Sequence, residues 1–291
     1  MNAISLLTVT HNSSSILESF LATLNEGGLP GDEVIIVDSG SDDIDSTRAI
    51  ASAHGARLLE LRQNVGYGVG TNLGAEIAVN QWLAIVNPDV ETTFAGLRTL
   101  VGVADSRNIA CLGPSIATPD GAPVSVVRGT IRPPWRRTAS RISTRGSETA
   151  SDSISGCCMV IRKSDFLEAN GFDPYFFMFA EEIDLHKRLW EAGKTVATTS
   201  AVTVITAGGG SSSSASARWA ATERDVAHVR YIRKHFSALE AAIDLLWRYT
   251  LIARKGVYKP RRASLSQLTR GVFSGRPAGH ALPSSQLGRS S

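Results

Sequence analysis

The chain has 291 residues, 43% of them hydrophobic and 20% charged, and its 30 Lys+Arg against 27 Asp+Glu leave a formal net charge of +3. Near-average apolar content and a small net charge exclude wholesale disorder, and the length suffices for one large domain or two modest ones. The balanced total also argues against a dedicated nucleic-acid binder, so no nucleic-acid partner is expected.

Along the chain, the alternation in Ile4-Ser5-Leu6-Leu7-Thr8-Val9 predicts a first strand over Ile4–Thr10. Met1–Thr10 has neither the basic start nor the small-residue cleavage site of a secretory signal. Ile16, Phe20, Leu21 and Leu24 recur at helical spacing until Gly27-Gly28 and Pro30. A second strand is expected at Glu33–Val37, then a polar turn after Asp38, a short helix at Ser46–His54 and a strand at Arg57–Leu61. A glycine-rich segment leads into a helix expected at Asn72–Asn80, followed by a buried strand at Trp82–Val86. Strands alternating with crossover-length helices predict βαβ units, hence an α/β fold with a largely parallel sheet.

From Pro119 to Ser153 the pattern lapses. Arg128, Arg132, Arg136, Arg137, Arg141 and Arg145 lie among Pro, Ser and Thr with no acid between Asp120 and Glu148, which reads as a mobile basic loop. Regular structure resumes at Ser155–Arg162, with a helix from about Glu182 to Ala192 and a flexible link at Gly208–Ser214. Two helices are expected at Arg218–Phe236 and Ala238–Ala253. In the second, Leu239, Ile243, Leu246, Trp247 and Thr250 share a face expected to pack on the core, opposite a stripe of Glu240, Asp244 and Arg248. Arg254, Lys255, Lys259, Arg261 and Arg262 follow, a polybasic run of the kind an anionic membrane surface attracts. Residues 1–214 therefore read as one domain, 215–262 as a helical, membrane-associating extension and 263–291 as a disordered tail. No stretch has the roughly 18 apolar residues of a spanning helix. Cys111, Cys157 and Cys158 form no disulfide framework and no zinc spacing, and read as small buried residues in a reducing cytosol.

In an open α/β sheet, ligands bind outside the carboxyl ends of the strands. Three polar clusters follow apolar strands in that way: Thr10-His11-Asn12, Asp38-Ser39-Gly40-Ser41-Asp42-Asp43, and Asn87-Pro88-Asp89. Asp89 is a metal candidate, since Mg²⁺ takes one or two protein carboxylates and completes its shell with phosphates and water. The same three residues read equally well as a proline turn with Asp89 capping a helix over Thr92–Val103. Gly66-Tyr67-Gly68-Val69-Gly70 fails the G-x-G-x-x-G fingerprint, because Thr71 and Leu73 stand where its third glycine would be. These glycines permit close backbone approach, with Asn64 and Asn72 offering hydrogen bonds. Glu181, Glu182 and Asp184 open a helix after the aromatic run Tyr175–Phe179. From spacing alone they are ordinary helix-start acids, though an aromatic, partly dry wall would suit one of them as a general base.

Taken in order, these segments resemble an inverting family-2 glycosyltransferase with a GT-A fold, over roughly Ile4 to Ser211. The resemblance is carried by Val9-Thr10-His11-Asn12, the Val34–Asp43 segment, the Asn-x-Gly-Tyr-Gly-x-Gly-x-Asn-x-Gly run at Asn64–Gly74, Asn87-Pro88-Asp89, and Ser155–Leu189 with its Gly-Phe-Asp-Pro and Glu-Glu-Ile-Asp elements. Within the family the arrangement is similar to bacterial rhamnosyltransferases, which use dTDP-rhamnose and polyprenyl-diphosphate-linked acceptors in cell-wall and polysaccharide biogenesis. The resemblance implies that Thr10, Asn12, Asp38, Asn64, Gly66, Asn72 and Asn87 contact the nucleotide-sugar donor. It assigns Mg²⁺ or Mn²⁺ to Asp89, the base that deprotonates the acceptor hydroxyl to Glu182, and an orienting role to Glu181. It also implies a lipid-linked saccharide acceptor and a cytoplasmic enzyme, peripheral on the inner face of the cell membrane. UDP-galactofuranose or UDP-GlcNAc as donor, or a non-catalytic nucleotide-sugar-binding protein of the same fold, are the alternatives. Oligomeric state is not legible.

Two positions depart from the family pattern. Glu182 stands where Asp is commoner, setting the carboxylate one methylene further out. Thr206 stands near the place where many relatives carry a His before a Gly-Gly-Gly-Ser segment.

Overall fold

The computed structural model describes residues 2–24, 26–128, 130–136, 142–206, 214–255 and 265–274. In chain order its elements are β1 (Ile4–Thr10), α1 (Ser14–Thr23), β2 (Glu33–Ser39), α2 (Ile44–Ala53), β3 (Arg57–Leu61), α3 (Tyr67–Ile77), β4 (Trp82–Val86), β5 (Val90–Glu91), α4 (Phe94–Ser106), β6 (Cys111–Ala117) and β7 (Pro123–Val124). There follow β8 (Val127–Arg128), β9 (Ser143–Arg145), β10 (Glu148–Ala150), β11 (Ser153–Ile154), β12 (Cys158–Arg162), α5 (Lys163–Glu168), α6 (Glu181–Glu191), β13 (Val196–Thr206), α7 (Ser214–His235), α8 (Ala238–Lys255) and α9 (Leu265–Ser274). The chain divides into two compact units, Met1–Ser212 and Ser213–Ser291.

In the first unit one mixed sheet runs in the order β3-β2-β1-β4-β12-β6-β13-β10-β9, with β5 and β7 attached to β13 and β6. The first four of those strands are parallel; β12 runs against β4 and β6, and β13 is again parallel to β6. Central strands are apolar on both faces because helices cover both, as in β4, where all five residues are buried. One face packs Leu6, Ile36 and Ala84 against Leu17, Phe20, Leu97 and Leu100 of α1 and α4. The other packs Leu7, Val37 and Ile85 against Phe166, Phe172 and Leu185.

Helix α3 begins at Tyr67, ahead of the expected Asn72, and takes in Gly68 and Gly70 of the segment expected to precede it, as well as Gly74. Their job is close packing: a Cβ on Gly70 would lie 2.9 Å from Val9, and one on Gly74 3.2 Å from Val37. Burial against β1 and β2 thus outweighs the roughly 1 kcal/mol per residue by which Gly disfavours a helix.

The basic stretch Pro119–Ser153 is not a structureless loop. Its described residues carry β7 to β11, including a β9–β10 hairpin that extends the sheet from β13. Strands this short take their identity from partners rather than from propensity. Arg137 and Arg141 lie outside the described residues, as do Gly208–Ser213 of the expected link, Lys259, Arg261, Arg262 and the tail from 275 onward.

The second unit comprises α7, α8 and α9. Helix α9 falls inside the segment expected to be disordered, and it forms because Leu268 and Val272 are buried with Val226 and Val229 of α7. Gly271 lets the two helices approach; a Cβ there would sit 2.7 Å from Val226. Arg230 and Arg233 donate to the carbonyls of Gly271 and Val272 at 2.9 and 3.0 Å. Helix α8 is turned opposite to expectation. Asp244 is 1% exposed and Ala241 is buried, whereas Leu239, Ile243, Leu246 and Trp247 face solvent. What packs is Leu245 and Tyr249, against the Val226 cluster, together with part of the polar stripe: His228 and Arg248 both reach Asp244, and Arg248 also donates to Asp225 of α7 at 2.5 Å.

Candidate active site

The parallel register places Thr10 directly beside Asp38, at the carboxyl ends of β1 and β2. β4, the other neighbour of β1, ends at Val86, so Asn87 and Asp89 emerge at the same sheet edge. Asp38 is wholly buried; its Oδ1 accepts from the Ser41 amide at 2.8 Å, while Oδ2 is buried without a protein partner. Thr10 Oγ1 and Asn87 Oδ1 are likewise buried and unpartnered. An unsatisfied buried polar atom costs about 1–3 kcal/mol, and folded proteins keep few of them. Three on adjacent strand ends, at the edge where α/β sheets bind ligands, describe a surface shaped for one.

Asn64 joins this row through Ser39, whose hydroxyl donates to Asn64 Oδ1 at 3.3 Å and accepts from the Val65 amide at 2.9 Å. Asn64 Oδ1 also accepts from Gly66, which has φ +84°. Gly66 is where the chain crosses the segment ahead of α6: Tyr67 donates to the Phe177 carbonyl at 3.1 Å, and a Cβ on Gly66 would stand 2.2 Å from that oxygen.

The acid pair arrives from that segment. Glu181 and Glu182 are 5% and 8% exposed, so they are not solvated helix-start acids. Phe179 and Ala180, just ahead of them, have φ of +67° and +64°. Two successive non-glycine residues in the left-handed region cost of order 1–3 kcal/mol each and persist only where the surroundings impose them, commonly at functional sites. Arg188 pairs with the fully buried Asp184 at 2.8 Å and donates to the carbonyls of Ala169 and Gly171, tying α6 to the chain ahead of it.

Tyr67 completes the wall. Its hydroxyl donates to the Gly156 carbonyl at 2.9 Å, across 89 residues of sequence. A Cβ on Gly156 would lie 3.2 and 3.3 Å from Cβ and Cγ of Glu182, so the glycine leaves room for the longer acid. Burial pushes the Tyr67 phenol well up, and the nearby Glu181, Cys157 and Glu182 push it further. Asn87 donates its amide to the Cys157 carbonyl at 2.8 Å, which brings the end of β4 to the same loop. The structure thus gathers Thr10, Asp38, Asn64, Gly66, Asn87 and the Glu181–Glu182 pair along one connected rim. Tyr67 and the Asp184–Arg188 pair were missed by sequence reasoning. The i, i+4 acid–base spacing signalled the latter, and nothing local signalled the Tyr67 contact.

Asp89 is not a helix cap. Thr93 caps α4, its Oγ1 accepting from Gly96 at 3.1 Å, and Asp89 makes no hydrogen bond or ion pair among the described residues. A partly exposed, uncommitted carboxylate beside the orphaned Asn87 oxygen fits a divalent cation completed by substrate oxygens. Among the described residues no cluster of three or more His, Cys, Asp or Glu side chains is arranged as a protein-only cage. Thr206 pairs with Val90 across β13 and β5, so the position where relatives carry His adjoins Asp89.

Two of the residues expected to contact the donor have hydrogen-bond partners within the chain. Asn72 faces the chain interior: its Nδ2 donates to the Phe172 carbonyl at 2.7 Å and its Oδ1 accepts the Phe172 amide at 2.9 Å. Asn72→Ala is expected to lower stability by about 2–3 kcal/mol, because both backbone groups of Phe172 lose their partner. Donor affinity should be unchanged, which thermal unfolding and calorimetry together check. Asn12 is exposed, and its amide is latched to Asp42, accepting from the backbone at 2.7 Å.

His186 is fully buried, between Ser153 and Cys111. The Ile154 amide donates to its Nδ1, which leaves the proton on Nε2, facing Cys111 Sγ. Burial, aided by Arg188, pushes its pKa from 6.5 down to about 3. The unfolded chain therefore binds a proton that the folded chain refuses. This contribution is complete above pH 6.5 and is lost as pH falls toward 3. Urea unfolding should show stability falling by about 1.4 kcal/mol per pH unit from this group below that point, and His186→Gln should flatten the slope.

A family model described as Glycosyl transferase family 2 matches residues 5–167, and so contains every strand-end residue of the rim. An N-acetylglucosaminyl-diphospho-decaprenol L-rhamnosyltransferase of Mycobacterium tuberculosis is 31% identical over 215 residues, covering 64% of this chain and 70% of that protein. Rhamnosyltransferase WbbL of Escherichia coli is 49% identical over a 47-residue stretch, 16% of this chain and 18% of its own. Among solved structures, the mannosyltransferase PcManGT of Pyrobaculum calidifontis, in complex with GDP-Man and Mn²⁺, superposes with a TM-score of 0.58 at 14% identity, covering 94% of this chain and 86% of its own. GalNAc-T7, solved with UDP, GalNAc and Mn²⁺, gives 0.60 at 15% identity; the alignment covers 94% of this chain but only 54% of that one. These superpositions show a shared GT-A fold, and because the family model spans more than half of the sequence the chain belongs to glycosyl transferase family 2.

Proposed function

We propose that the enzyme transfers L-rhamnose from dTDP-rhamnose, with inversion, to a polyprenyl-diphosphate-linked saccharide, working as a peripheral protein at the cytoplasmic face of the membrane that holds the acceptor. The observation that carries this reading is the row of buried, unpartnered oxygens on Asp38, Thr10 and Asn87, continuous through Gly66 and Gly156 with the Glu181–Glu182 pair. The row suits the polar groups of a nucleotide and its diphosphate, and the acid pair suits an acceptor hydroxyl. The choice of rhamnose and of a lipid-linked acceptor is supported by the name of the M. tuberculosis relative.

In this reading Asp38 and Thr10 receive the base, with Asn64 beside the ribose. Asp89 holds Mg²⁺ or Mn²⁺, which when bound offsets charge on the departing nucleoside diphosphate. Glu182 Oε takes the proton from the acceptor hydroxyl, and the acceptor oxygen displaces the nucleotide from the opposite face of the anomeric carbon. One displacement inverts the centre, so a single base suffices. Glu181 orients Glu182, and the Tyr67–Gly156 contact keeps the loop against it.

Purified protein should be given dTDP-rhamnose, UDP-galactofuranose and UDP-GlcNAc in turn, with Mg²⁺ and a polyprenyl-diphosphate-linked GlcNAc acceptor. Acceptor-dependent release of dTDP is expected. Faster release of UDP from another donor would reassign the sugar, and calorimetric donor binding without turnover would make the protein a non-catalytic binder.

A further inference from the structure

We propose that the solvent-facing side of α8 is a docking surface for an anionic lipid bilayer. Leu239, Ile243, Leu246 and Trp247 are 71%, 43%, 65% and 47% exposed, and their spacing puts them on a single helix face. A helix packed for water alone would turn these inward and its charges outward. Here the reverse is built in: Asp244 is 1% exposed, held by His228 and Arg248, and Arg248 is anchored in turn on Asp225. That ion network fixes the rotation of α8 on α7 and keeps the apolar stripe outward.

The occupant is argued from charge. Asp244 is the last acidic residue of the chain, and beyond the paired Arg248 eight Lys or Arg follow from Arg254 to Arg289, two of them, Arg254 and Lys255, closing α8 itself. An apolar face containing Trp, continuing into an acid-free basic run, is the composition of helices that lie in the headgroup region of anionic membranes. A second copy docking through the same face would bring the same basic run and no counter-charge. Among the described residues no helix is long and apolar enough to cross a membrane, so contact would be interfacial. The inference deepens the reading above by naming the surface that meets the membrane holding the acceptor.

The full-length protein should be sedimented with vesicles of equal parts phosphatidylcholine and phosphatidylglycerol, free of any sugar acceptor, and with vesicles of phosphatidylcholine alone. Binding to the anionic vesicles is expected, weakened by salt, and reduced at least about tenfold by Leu246→Ser with Trp247→Ser. The double variant should keep its thermal midpoint, because both side chains are exposed. Equal binding to both vesicle types, no binding, or binding indifferent to the double substitution would overturn the proposal. So would a concentration-dependent dimer in light scattering that the substitutions dissolve, which would assign the stripe to a second copy. Transfer to a short-chain, detergent-soluble acceptor, assayed in parallel, reports on the enzymatic reading separately.

Discussion

Replacing Glu182 by glutamine is expected to lower kcat by about 10²–10⁴-fold while leaving donor affinity within a factor of two or so of wild type. The substitution preserves the shape of a buried side chain packed beside Gly156 and removes only its ability to take a proton. Loss at a position that served packing or donor binding would appear instead as a lower unfolding midpoint or a weaker donor Kd. Single-turnover transfer, with donor binding by calorimetry, separates these outcomes. Glu182→Asp sharpens the test. It restores the acid commoner in relatives but withdraws the carboxylate by one methylene, in a wall where Gly156 leaves space for the longer chain. Activity between wild type and Glu182→Gln is expected. Full activity in the glutamine variant would remove Glu182 from the chemistry.

Asp89→Ala is the second large effect. The carboxylate leaves β4 beside the unpartnered Asn87 oxygen, takes no part in capping α4 and has no ion partner among the described residues. Its removal should therefore cost little stability, within about 0.5 kcal/mol. Activity is expected to fall about 10²–10³-fold, the scale of losing one electrostatic stabiliser of a developing charge. The discriminating measurement is donor binding with and without Mg²⁺: the metal should tighten binding to wild type and leave the variant indifferent. Metal-stimulated binding retained by Asp89→Ala would move the cation to other residues. Thr206, paired with Val90 on the neighbouring strand, is then the first place to look.

The contrast between these residues and the rest of the chain shows what kinds of information a sequence carries. β1, β2 and β4 were legible because a strand covered on both faces is a short apolar run whatever its neighbours do, and the polar clusters after them followed by position alone. For Asp89 the local sequence supports cap and ligand equally, and the structure removes only the first, because Thr93 caps α4. Asn72 offers hydrogen bonds beside glycines and is assigned a donor contact by the family resemblance; its side chain bonds the backbone of a residue 100 positions away, which local sequence does not show. The start of α3 was misplaced because glycine lowers local helix propensity, whereas its value here lies in how closely the helix approaches β1 and β2. α8 is the clearest case. Periodicity identifies which side of a helix is apolar, but only the partner decides which side is buried, and here Asp225 and His228 of α7 hold Asp244 and Arg248 inward while Leu245 and Tyr249 pack on the Val226 cluster.

The crossing at Gly66 sets a boundary for engineering. The segment before α6 is a natural target for grafting, because it carries the aromatic run and leads directly into the acid pair that opens the helix. Any transplant must nevertheless reproduce the path of the Phe177 main chain, since its carbonyl passes where even a methyl group on residue 66 has no room. The crossing itself behaves as a hinge pin, and a chimera that moves it is expected to displace the start of α3 and the acid pair of α6 together.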